Sequence, residues 1–258
     1  LHTCKEVKDY RRELNMEEGW YERSFVATMS GDLEIAVKVV RFLSIERNEV
    51  GAINYEVEVL NSDATVVFEP YLDSGITNED ANWDEKFWET LKVKTAGPKA
   101  FITSKPLNTE FHVTAFMQSQ VVKNGKILPQ EHSEEILDEK IAFRYSVDLQ
   151  KGEKVGLLKY GGYVTDMNHK QEELILAANA VLDGAVSLGF DELLEEQKSA
   201  WDQIWQMADI SIEGDVKAQQ GIRFNIFQLN QTYMGEDARL NIGPKGFTGE
   251  KYGGSTYW

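Results

Sequence analysis

The side chains best suited to hold a small polar ligand lie in the last eighteen residues, 241–258. Five of these residues are glycine, against 20 glycines in the 258 residues of the chain, and four are aromatic: Phe247, Tyr252, Tyr257 and Trp258. Glycine lets the backbone approach a ligand closely, and tyrosine and tryptophan offer a flat apolar face with a polar edge. A pyranose presents C–H groups on one face and hydroxyl groups at its rim, so this composition predicts a sugar-binding loop.

Four residues of this loop are expected to contact the substrate: Trp258, Tyr257, Glu250 and Lys245. Trp258 is the strongest candidate, because an aromatic ring that closes a Gly-Gly-Ser-Thr turn is suited to form one wall of a sugar site. Glu250 could be a general acid, but the adjacent Lys251 would favour its ionised form. We therefore favour a structural role or a sugar-hydroxyl contact for Glu250. Lys245 could reach a hydroxyl group or remain in solvent.

Other chemistries find little support in the sequence. The four histidines, His2, His112, His132 and His169, show no metal-ligand spacing and no pairing with serine or cysteine, so we expect no metal site. His112 alternates with core residues and is predicted to lie on the solvated face of a strand. The glycine-rich run 243–254 lacks the Gly-Lys-Ser/Thr ending of a phosphate-binding loop, so nucleotide binding is not expected.

Overall charge restricts the expected partners. The chain has 43 acidic and 27 basic residues and a net charge of −16, which repels nucleic-acid phosphates and anionic lipid. We therefore expect neither nucleic acid nor a membrane as a partner, and no stretch approaches the roughly twenty apolar residues of a membrane span. Cys4 is the single cysteine, so no internal disulfide can form. A reducing, cytoplasmic location with an inert thiol is the simpler expectation.

Alternation of apolar and polar residues dominates from Trp20 to about Thr165 and predicts half-buried antiparallel strands. It is clearest in four stretches: 33–39, 53–59, 111–117 and 141–149. The pair Asn124-Gly125 predicts a hairpin, because a type I′ turn requires positive φ at both central residues. Many strands without intervening helices favour a β-sandwich.

An acidic insertion, 72–91, interrupts this strand pattern. It does not match a calcium-binding loop, because Glu85 stands where the loop glycine belongs and Leu91 where the bidentate glutamate belongs. We interpret it as an acidic surface loop held by Trp83 and Trp88. The alternative is a loop that reaches over an active site or into a subunit contact.

Helical spacing replaces alternation near Asp166. Apolar residues between Leu174 and Ala185 predict one helix, and a second is expected to begin at Asp191 as its N-cap. The apolar face of the second helix would carry Leu194, Gln197, Trp201, Ile204, Trp205 and Ala208. The two tryptophans could bind a sugar, but their four-residue spacing is more typical of packing.

A third helix is predicted at about 215–233. Its apolar row is expected to comprise Ile222, Ile226, Leu229 and Tyr233. Its other face carries six amides: Gln219, Gln220, Asn225, Gln228, Asn230 and Gln231. Uncharged amides suit a crowded setting in which donors and acceptors find partners, so we expect this helix to be enclosed between neighbours. For Arg223, a structural ion pair is favoured over an anion site.

Several stretches resemble glycoside hydrolase family 65: 42–45, 70–73, 78–89, 222–233 and 243–258. The resemblance implies an α+β multidomain fold. It comprises an incomplete antiparallel super-sandwich over 1–165 that lacks its first strands, a two-helix linker over 166–210, and the first helix and loop of an (α/α)6 barrel over 211–258. Because the chain begins at Leu1 and stops at Trp258, it looks like an interior segment of a larger enzyme.

The same resemblance implies an inverting disaccharide phosphorylase. The tail is most similar to the branch that converts maltose and inorganic phosphate, as co-substrate, into β-D-glucose 1-phosphate and D-glucose, without a cofactor. In this family the tryptophan at position 258 helps to form the wall of the glucose site, and the general acid and the phosphate site lie beyond it, so no catalytic residue is expected in this segment. A homodimer is expected from the family alone. Alternatives are phosphorolysis of kojibiose or trehalose, or a non-catalytic carbohydrate-binding or interface module.

Overall fold

The computed structural model describes residues 3–77, 86–129, 132–235 and 237–239. Within these ranges the chain forms two antiparallel sheets followed by three α-helices. The strands are β1 Glu6–Asn15, β2 Trp20–Thr28, β3 Glu34–Leu43, β4 Val50–Val59, β5 Ala64–Phe68, β6 Tyr71–Asp73, β7 Trp88–Ala96, β8 Lys99–Pro106, β9 Val113–Lys123, β10 Lys126–Ile127, β11 Ser133–Ile136, β12 Lys140–Leu149 and β13 Lys154–Thr165. The helices are α1 Leu174–Leu188, α2 Phe190–Ala208 and α3 Val216–Thr232.

The larger sheet has the strand order β1-β2-β3-β4-β13-β9-β8-β7, and β10 pairs with β9 at its margin. The smaller sheet has the order β11-β12-β5, with β6 also paired to β12. The predicted hairpin joins β9 to β10: Asn124 has φ +53° and Gly125 has φ +71°, and Lys126 pairs with Lys123. The two positive φ angles confirm the turn that the Asn-Gly pair predicted.

The two sheets enclose the main hydrophobic core, and β12 shows how the alternation builds it. Its five odd-numbered residues, Ile141, Phe143, Tyr145, Val147 and Leu149, are all buried between the sheets. The intervening residues include Arg144, Ser146 and Asp148, which are exposed. The predicted antiparallel sandwich is confirmed.

Helix α1 covers the opposite face of the larger sheet. Its buried residues are Leu174, Ala178, Leu182 and Ala185, which recur at helical spacing on one side. They pack against Phe42, Phe116 and Tyr160 from three different strands. Burial of each leucine side chain contributes about 2 kcal/mol, so the apolar stripe fixes α1 on the sheet.

Helix α2 follows α1 after a single residue, Gly189, whose φ of +84° ends one helix and precedes the next. The expectation that Asp191 caps α2 is wrong: the helix begins at Phe190, and Gly189 occupies the cap position. Phe190 is buried against α1 and the sheet, and this anchor places Leu193 fully in the core, while the predicted Leu194 packs against the same core and is partly buried. Among the described residues, no single helix is long and apolar enough to cross a membrane. Taken together, Gln171–Leu188 and Phe190–Ala208 have the length and apolar composition of a membrane span. The two segments are bent by 96° at the break between them.

Helix α3 begins after Asp215, whose carboxylate accepts hydrogen bonds from the backbone N–H groups of Lys217 and Ala218, both at 3.0 Å. The predicted apolar row is wrong, because Phe227 is the buried residue of this helix and Leu229 is 67% exposed. The expected enclosure is also wrong for the described part of the chain: Phe227 is the buried residue of α3, and the other residues of the helix are half-buried or exposed. The domain boundaries after 165 and after 210 stay predictions.

Candidate functional site

The four predicted substrate contacts, Lys245, Glu250, Tyr257 and Trp258, lie outside the described residues. The structure does describe how the chain reaches them, from the sandwich through α2 and α3 to Arg239. Several contacts hold this described part of the chain in place.

Gln197 fixes α2 to two loops of the sandwich. Its side-chain amide is 1% exposed; its carbonyl oxygen accepts from the backbone N–H of Ile45 at 2.9 Å, and its nitrogen donates to the carbonyl of Gly19 at 2.9 Å. A buried amide with both of its polar atoms bonded holds its neighbours in one arrangement. This residue was expected on the apolar face of α2, and its burial explains why an amide stands there.

Two further contacts join α2 to the sandwich. Trp205 donates its indole N–H to the carbonyl of Met16 at 2.9 Å, and the Arg47 guanidinium binds both carboxylate oxygens of Glu196 at 2.7 Å. The Arg47 guanidinium also lowers the pKa of Glu196. Together with the burial of Trp201, these contacts confirm that the tryptophans of α2 serve packing.

Trp201 is the centre of a small core that joins α2 to α3. Its ring stacks on Phe227 with centroids 4.5 Å apart and an interplanar angle of 21°, and it is 1% exposed. Gly19 lies directly against it: a Cβ at this position would stand 1.9 Å from the indole nitrogen. Gly19 also has φ +73°, which favours glycine, so both its size and its backbone conformation suit this close approach.

The turn between α2 and α3 is closed by an ion pair, as expected for Arg223. Its Nε and Nη2 donate to the two carboxylate oxygens of Asp209 at 2.8 and 2.6 Å. The Arg223 guanidinium lowers the pKa of Asp209, which in turn raises the pKa of Arg223. Because both side chains are partly in solvent, screening makes this contact a modest contributor to stability.

After α3 the chain turns back toward the sandwich. The Tyr233 hydroxyl donates to the carbonyl of Asp237 at 3.0 Å, and Asp237 accepts from Nε and Nη2 of Arg239 at 2.8 and 2.6 Å. Hydrogen bonds from the Arg239 side chain and backbone hold the pKa of Asp237 at about 2. Nη2 of Arg239 also donates to Oδ1 of Asn168 at 2.6 Å, and Nη1 donates to the carbonyl of Met167 at 2.5 Å.

The segment that Arg239 reaches is the turn 166–169 between β13 and α1, which His112 holds from one side. The backbone N–H of His112 and its Nδ1 bond to Oδ2 of Asp166 at 3.0 and 2.8 Å, and its Nε2 meets Nε2 of Gln171 at 3.0 Å. The expectation of a solvated His112 is wrong: it is 6% exposed. It precedes β9 and is covered by the turn, so the strand alternation does not apply to it.

Glu49 holds the turn from the other side. Its carboxylate bonds to Nε2 of His169 at 2.7 Å, and its carbonyl accepts from the backbone N–H of Tyr163 at 3.2 Å. The remaining described histidine, His132, lies 3.3 Å from Glu134. No group of three His, Cys, Asp or Glu side chains in the described ranges could hold a metal ion.

The acidic insertion is described only at its two ends. Ser74 and Thr90 share a hydrogen bond of 2.7 Å between their hydroxyls, and Lys86 pairs with Glu139. Trp88 begins β7 and is half-buried. Trp83 lies outside the described residues, so the choice between a surface loop and a contact loop stays a prediction.

Comparison with known families defines the class of this molecule. The model of the glycosyl hydrolase family 65 N-terminal domain matches residues 1–204, and that of the glycosyl hydrolase family 65 central catalytic domain matches residues 223–258. The first match covers the sandwich, α1 and most of α2, and the second begins inside α3. The chain belongs to glycosyl hydrolase family 65.

Within this family, the chain is similar to three kinds of disaccharide phosphorylase. The chain is 38% identical over 252 residues to the maltose phosphorylase of Bacillus subtilis, covering 98% of this chain and 33% of that protein. It is 28% identical over 257 residues to the alpha,alpha-trehalose phosphorylase of Thermoanaerobacter brockii, covering 96% and 33%. It is also 28% identical over 271 residues to the kojibiose phosphorylase of Caldanaerobacter subterraneus subsp. tengcongensis, covering 100% and 34%.

A solved structure titled as a kojibiose phosphorylase from the human microbiome has the same fold. It superimposes with a TM-score of 0.84 at 26% identity, covering 95% of this chain and 31% of that one. The similarity supports the sandwich followed by the start of a helical domain. The chain spans about a third of the length of the curated relatives that it matches.

Proposed function

We propose that this chain is part of an inverting disaccharide phosphorylase that converts maltose and inorganic phosphate into β-D-glucose 1-phosphate and D-glucose. The observation that carries the proposal is the identity of 38% with a maltose phosphorylase over 98% of the chain, against 28% with the trehalose and kojibiose enzymes. Phosphorolysis, the (α/α)6 barrel, the cytoplasmic location and a homodimer all belong to this proposal.

The reaction has simple chemical requirements. A phosphate oxygen forms a bond to C1 of the non-reducing glucose as the C1–O bond to the second glucose breaks, and a carboxylic acid gives its proton to the leaving oxygen. Phosphate is already an anionic nucleophile, so no second carboxylate is needed to activate water. We place the acid and the phosphate-binding residues outside this chain, and the reaction as written needs no cofactor.

Within the chain, the proposed substrate contacts are those of the tail. Trp258 and Tyr257 form one wall of the glucose site, Glu250 contacts a hydroxyl group or supports the loop, and Lys245 reaches a hydroxyl group. The match of residues 223–258 to the central catalytic domain supports this assignment, because all four residues lie inside that match. The sandwich and the linker helices supply the scaffold.

The experiment offers the full-length protein maltose, kojibiose and trehalose in turn, each with and without phosphate. We expect glucose 1-phosphate to form from maltose in a phosphate-dependent manner, at a rate at least tenfold above the other two disaccharides. Preferred turnover of kojibiose or trehalose would replace the proposed substrate. Phosphate-independent release of glucose would replace phosphorolysis with hydrolysis.

Kojibiose phosphorolysis is the second candidate, since the described fold superimposes on a structure of that title at a TM-score of 0.84. A non-catalytic carbohydrate-binding or interface module is the third, and it would bind maltose without converting it. Isothermal titration of the full-length protein with maltose in the absence of phosphate, combined with the turnover assay, separates binding alone from catalysis.

A further inference from the structure

We propose that a groove on the outer face of the larger sheet, between α1 and the marginal strands β7 and β8, is a binding site for a phosphorylated monosaccharide. This site goes beyond the proposed function and involves none of the four proposed substrate contacts. Its test measures binding without turnover, so the two proposals can fail separately.

The groove exists because α1 covers only part of the sheet. The helix packs mainly on β9 and β13, where Leu174 and Leu182 meet Phe116 and Tyr160. The same face of the sheet continues past the helix into β8 and β7, and the step between helix and strands encloses about 640 Å³. Small-molecule sites occupy roughly 300–1,000 Å³, so a monosaccharide phosphate fits this space.

Strand β7 presents two exposed lysines to the groove. Lys92 lies opposite Thr103 of β8 and Lys94 lies opposite Phe101, and all four residues line the groove. Val93, between the two lysines, packs against the main core on the other face of the sheet, as strand alternation requires. Two ammonium groups on one face, two residues apart, can bind different oxygens of one phosphate.

The charge of the groove favours an anion. Within the described ranges neither Lys92 nor Lys94 forms an ion pair with a carboxylate, whereas Lys99, at the start of β8, binds Oδ1 of Asp183 at 2.5 Å. Among the described lining residues the one carboxylate is that of Glu172, which is exposed. Two uncompensated lysines therefore make a locally positive surface in a chain of net charge −16, and such a surface attracts an anionic ligand.

The polar lining beside the lysines suits the hydroxyl groups of a sugar. The hydroxyl of Thr103 shares a hydrogen bond of 2.8 Å with that of Thr114, and the amide nitrogen of Gln171 lies 3.0 Å from Nε2 of His112. A hydroxyl group can both donate and accept, and an amide has two donor hydrogens and an acceptor oxygen. Thr103 and Gln171 are thus held in place by one contact each and keep bonding capacity for a ligand.

The apolar lining favours a sugar over a nucleobase. Leu91 of β7 and Leu176 of α1 are 44% and 69% exposed, and they offer aliphatic surface to the C–H groups of a sugar ring. The two lining rings, Phe101 and His112, are only 2% and 6% exposed, so neither presents an open face for stacking. A phosphate with a small polyol fits this lining better than a nucleotide does.

The experiment labels lysines of the full-length protein with an acetylating reagent, with and without saturating glucose 6-phosphate, and follows each site by mass spectrometry. We expect Lys92 and Lys94 to react at least about threefold more slowly when glucose 6-phosphate is bound. Lys126 and Lys151 are exposed and lie outside the groove, so they serve as internal controls and should react at an unchanged rate. Lysines 92 and 94 that are unreactive without any ligand would show that the groove is covered, and would overturn the proposal.

Three further probes define the chemistry of the ligand. Inorganic phosphate, glucose and AMP, each at the concentration of glucose 6-phosphate, should protect Lys92 and Lys94 less. Equal protection by inorganic phosphate would overturn the assignment of a sugar, and stronger protection by AMP would overturn the exclusion of a nucleobase.

A pair of double variants separates the groove from net charge. Lys92→Ala/Lys94→Ala and Lys126→Ala/Lys151→Ala each remove two positive charges from exposed positions, so both melting temperatures should stay within about 3 °C of the parent. Glucose 6-phosphate should slow hydrogen exchange of a peptide covering 171–179 in the parent and in the control variant, and should have no effect in Lys92→Ala/Lys94→Ala. Loss of the effect in both double variants would contradict the site.

Neither readout depends on turnover. Protection of Lys92 and Lys94 in a protein that converts none of the three disaccharides would support this site while the proposed function fails. Turnover of maltose without such protection would support the proposed function and overturn the site.

Discussion

Trp201 of α2 and Phe227 of α3 lie nearly face to face, with ring centroids 4.5 Å apart and planes inclined by 21°. Among the described residues this stacked pair is the main apolar contact between α2 and α3. Because Gly19 of the sandwich lies against the same indole, three parts of the chain meet at one side chain. The packing of Trp201 therefore joins the sandwich, α2 and α3.

Substitution of Gly19 tests the close contact between Gly19 and the indole of Trp201. Gly19→Ala adds a Cβ that overlaps the indole of Trp201 and also strains a residue with φ +73°. We expect the free energy of unfolding in urea to fall by about 3 kcal/mol, which combines overpacking with backbone strain. The control is Gly97→Ala, where φ is +58° and no atom lies within 4 Å of the added Cβ, and its loss should be about 1 kcal/mol. Equal losses in the two variants would show that Gly19 matters only for its backbone angle.

Two phenylalanines on α3 test the stacked pair. Phe227 is 4% exposed and Phe224 is 42% exposed, so the helix offers a buried and an exposed ring three residues apart. Phe227→Ala should lower the free energy of unfolding by about 3 kcal/mol, whereas Phe224→Ala should lower it by less than about 1 kcal/mol. Urea denaturation followed by tryptophan fluorescence measures both. A larger loss at Phe224 would place the contact surface of α3 elsewhere.

The raised pKa of Tyr145 predicts that the protein loses stability in alkali. Burial of its side chain, with a smaller effect of Glu134, raises its pKa to about 12. Since the pKa of a tyrosine in an unfolded chain is about 10, the unfolded state loses this proton first, and Tyr145 lowers the free energy of unfolding by up to about 2 kcal/mol between pH 10 and pH 12. Tyr160, whose pKa burial also raises to about 12, adds a separate loss in the same range.

The Tyr145→Phe variant should lack this part of the pH dependence. Near pH 7 it should be as stable as the parent or slightly more so, because the Tyr145 hydroxyl is buried and has no hydrogen-bond partner among the described residues. Urea unfolding at pH 7, 10 and 11.5 measures the difference, with Tyr163→Phe, at an exposed position, as the control. A parallel fall of stability in both variants would contradict the assignment to Tyr145.

Trp258 tests the proposed sugar wall. Trp258→Ala in the full-length protein should lower kcat for maltose by at least about tenfold while the melting temperature changes by less than about 3 °C. Trp258→Phe keeps an aromatic face and should retain more activity. If activity and melting temperature fall together, the residue is a packing residue and not a wall of the site.

Local patterns predicted the parts of the fold that depend on neighbouring residues. The alternation of β12, the Asn124-Gly125 turn and the stripe of α1 are each contained in a few consecutive turns or residues, and each is confirmed. The start of α2 was missed because Phe190 is anchored by distant strands, which moves the helix start one residue ahead of the favourable cap at Asp191. The buried face of α3 was missed for the same reason, since Trp201 selects Phe227.

The contacts that fix the turn 166–169 could not be predicted from the sequence alone. His112 meets Asp166 across 54 residues, Arg239 meets Asn168 across 71, and His169 meets Glu49 across 120. Periodicity reports which way a side chain faces within its own element and says nothing of such pairs. Only the pair formed by Asp237 and Arg239 could have been predicted from the sequence, because two opposite charges two residues apart in a turn can pair locally.

The central claim is that the tail of this chain forms part of a phosphorolytic sugar site whose acid lies elsewhere. The most direct measurement follows maltose by proton NMR in phosphate buffer, with the full-length protein and with the 258-residue chain. We predict β-D-glucose 1-phosphate from the full-length protein and no product from the 258-residue chain. Formation of the α-anomer, release of glucose without phosphate, or turnover by the 258-residue chain would contradict the account.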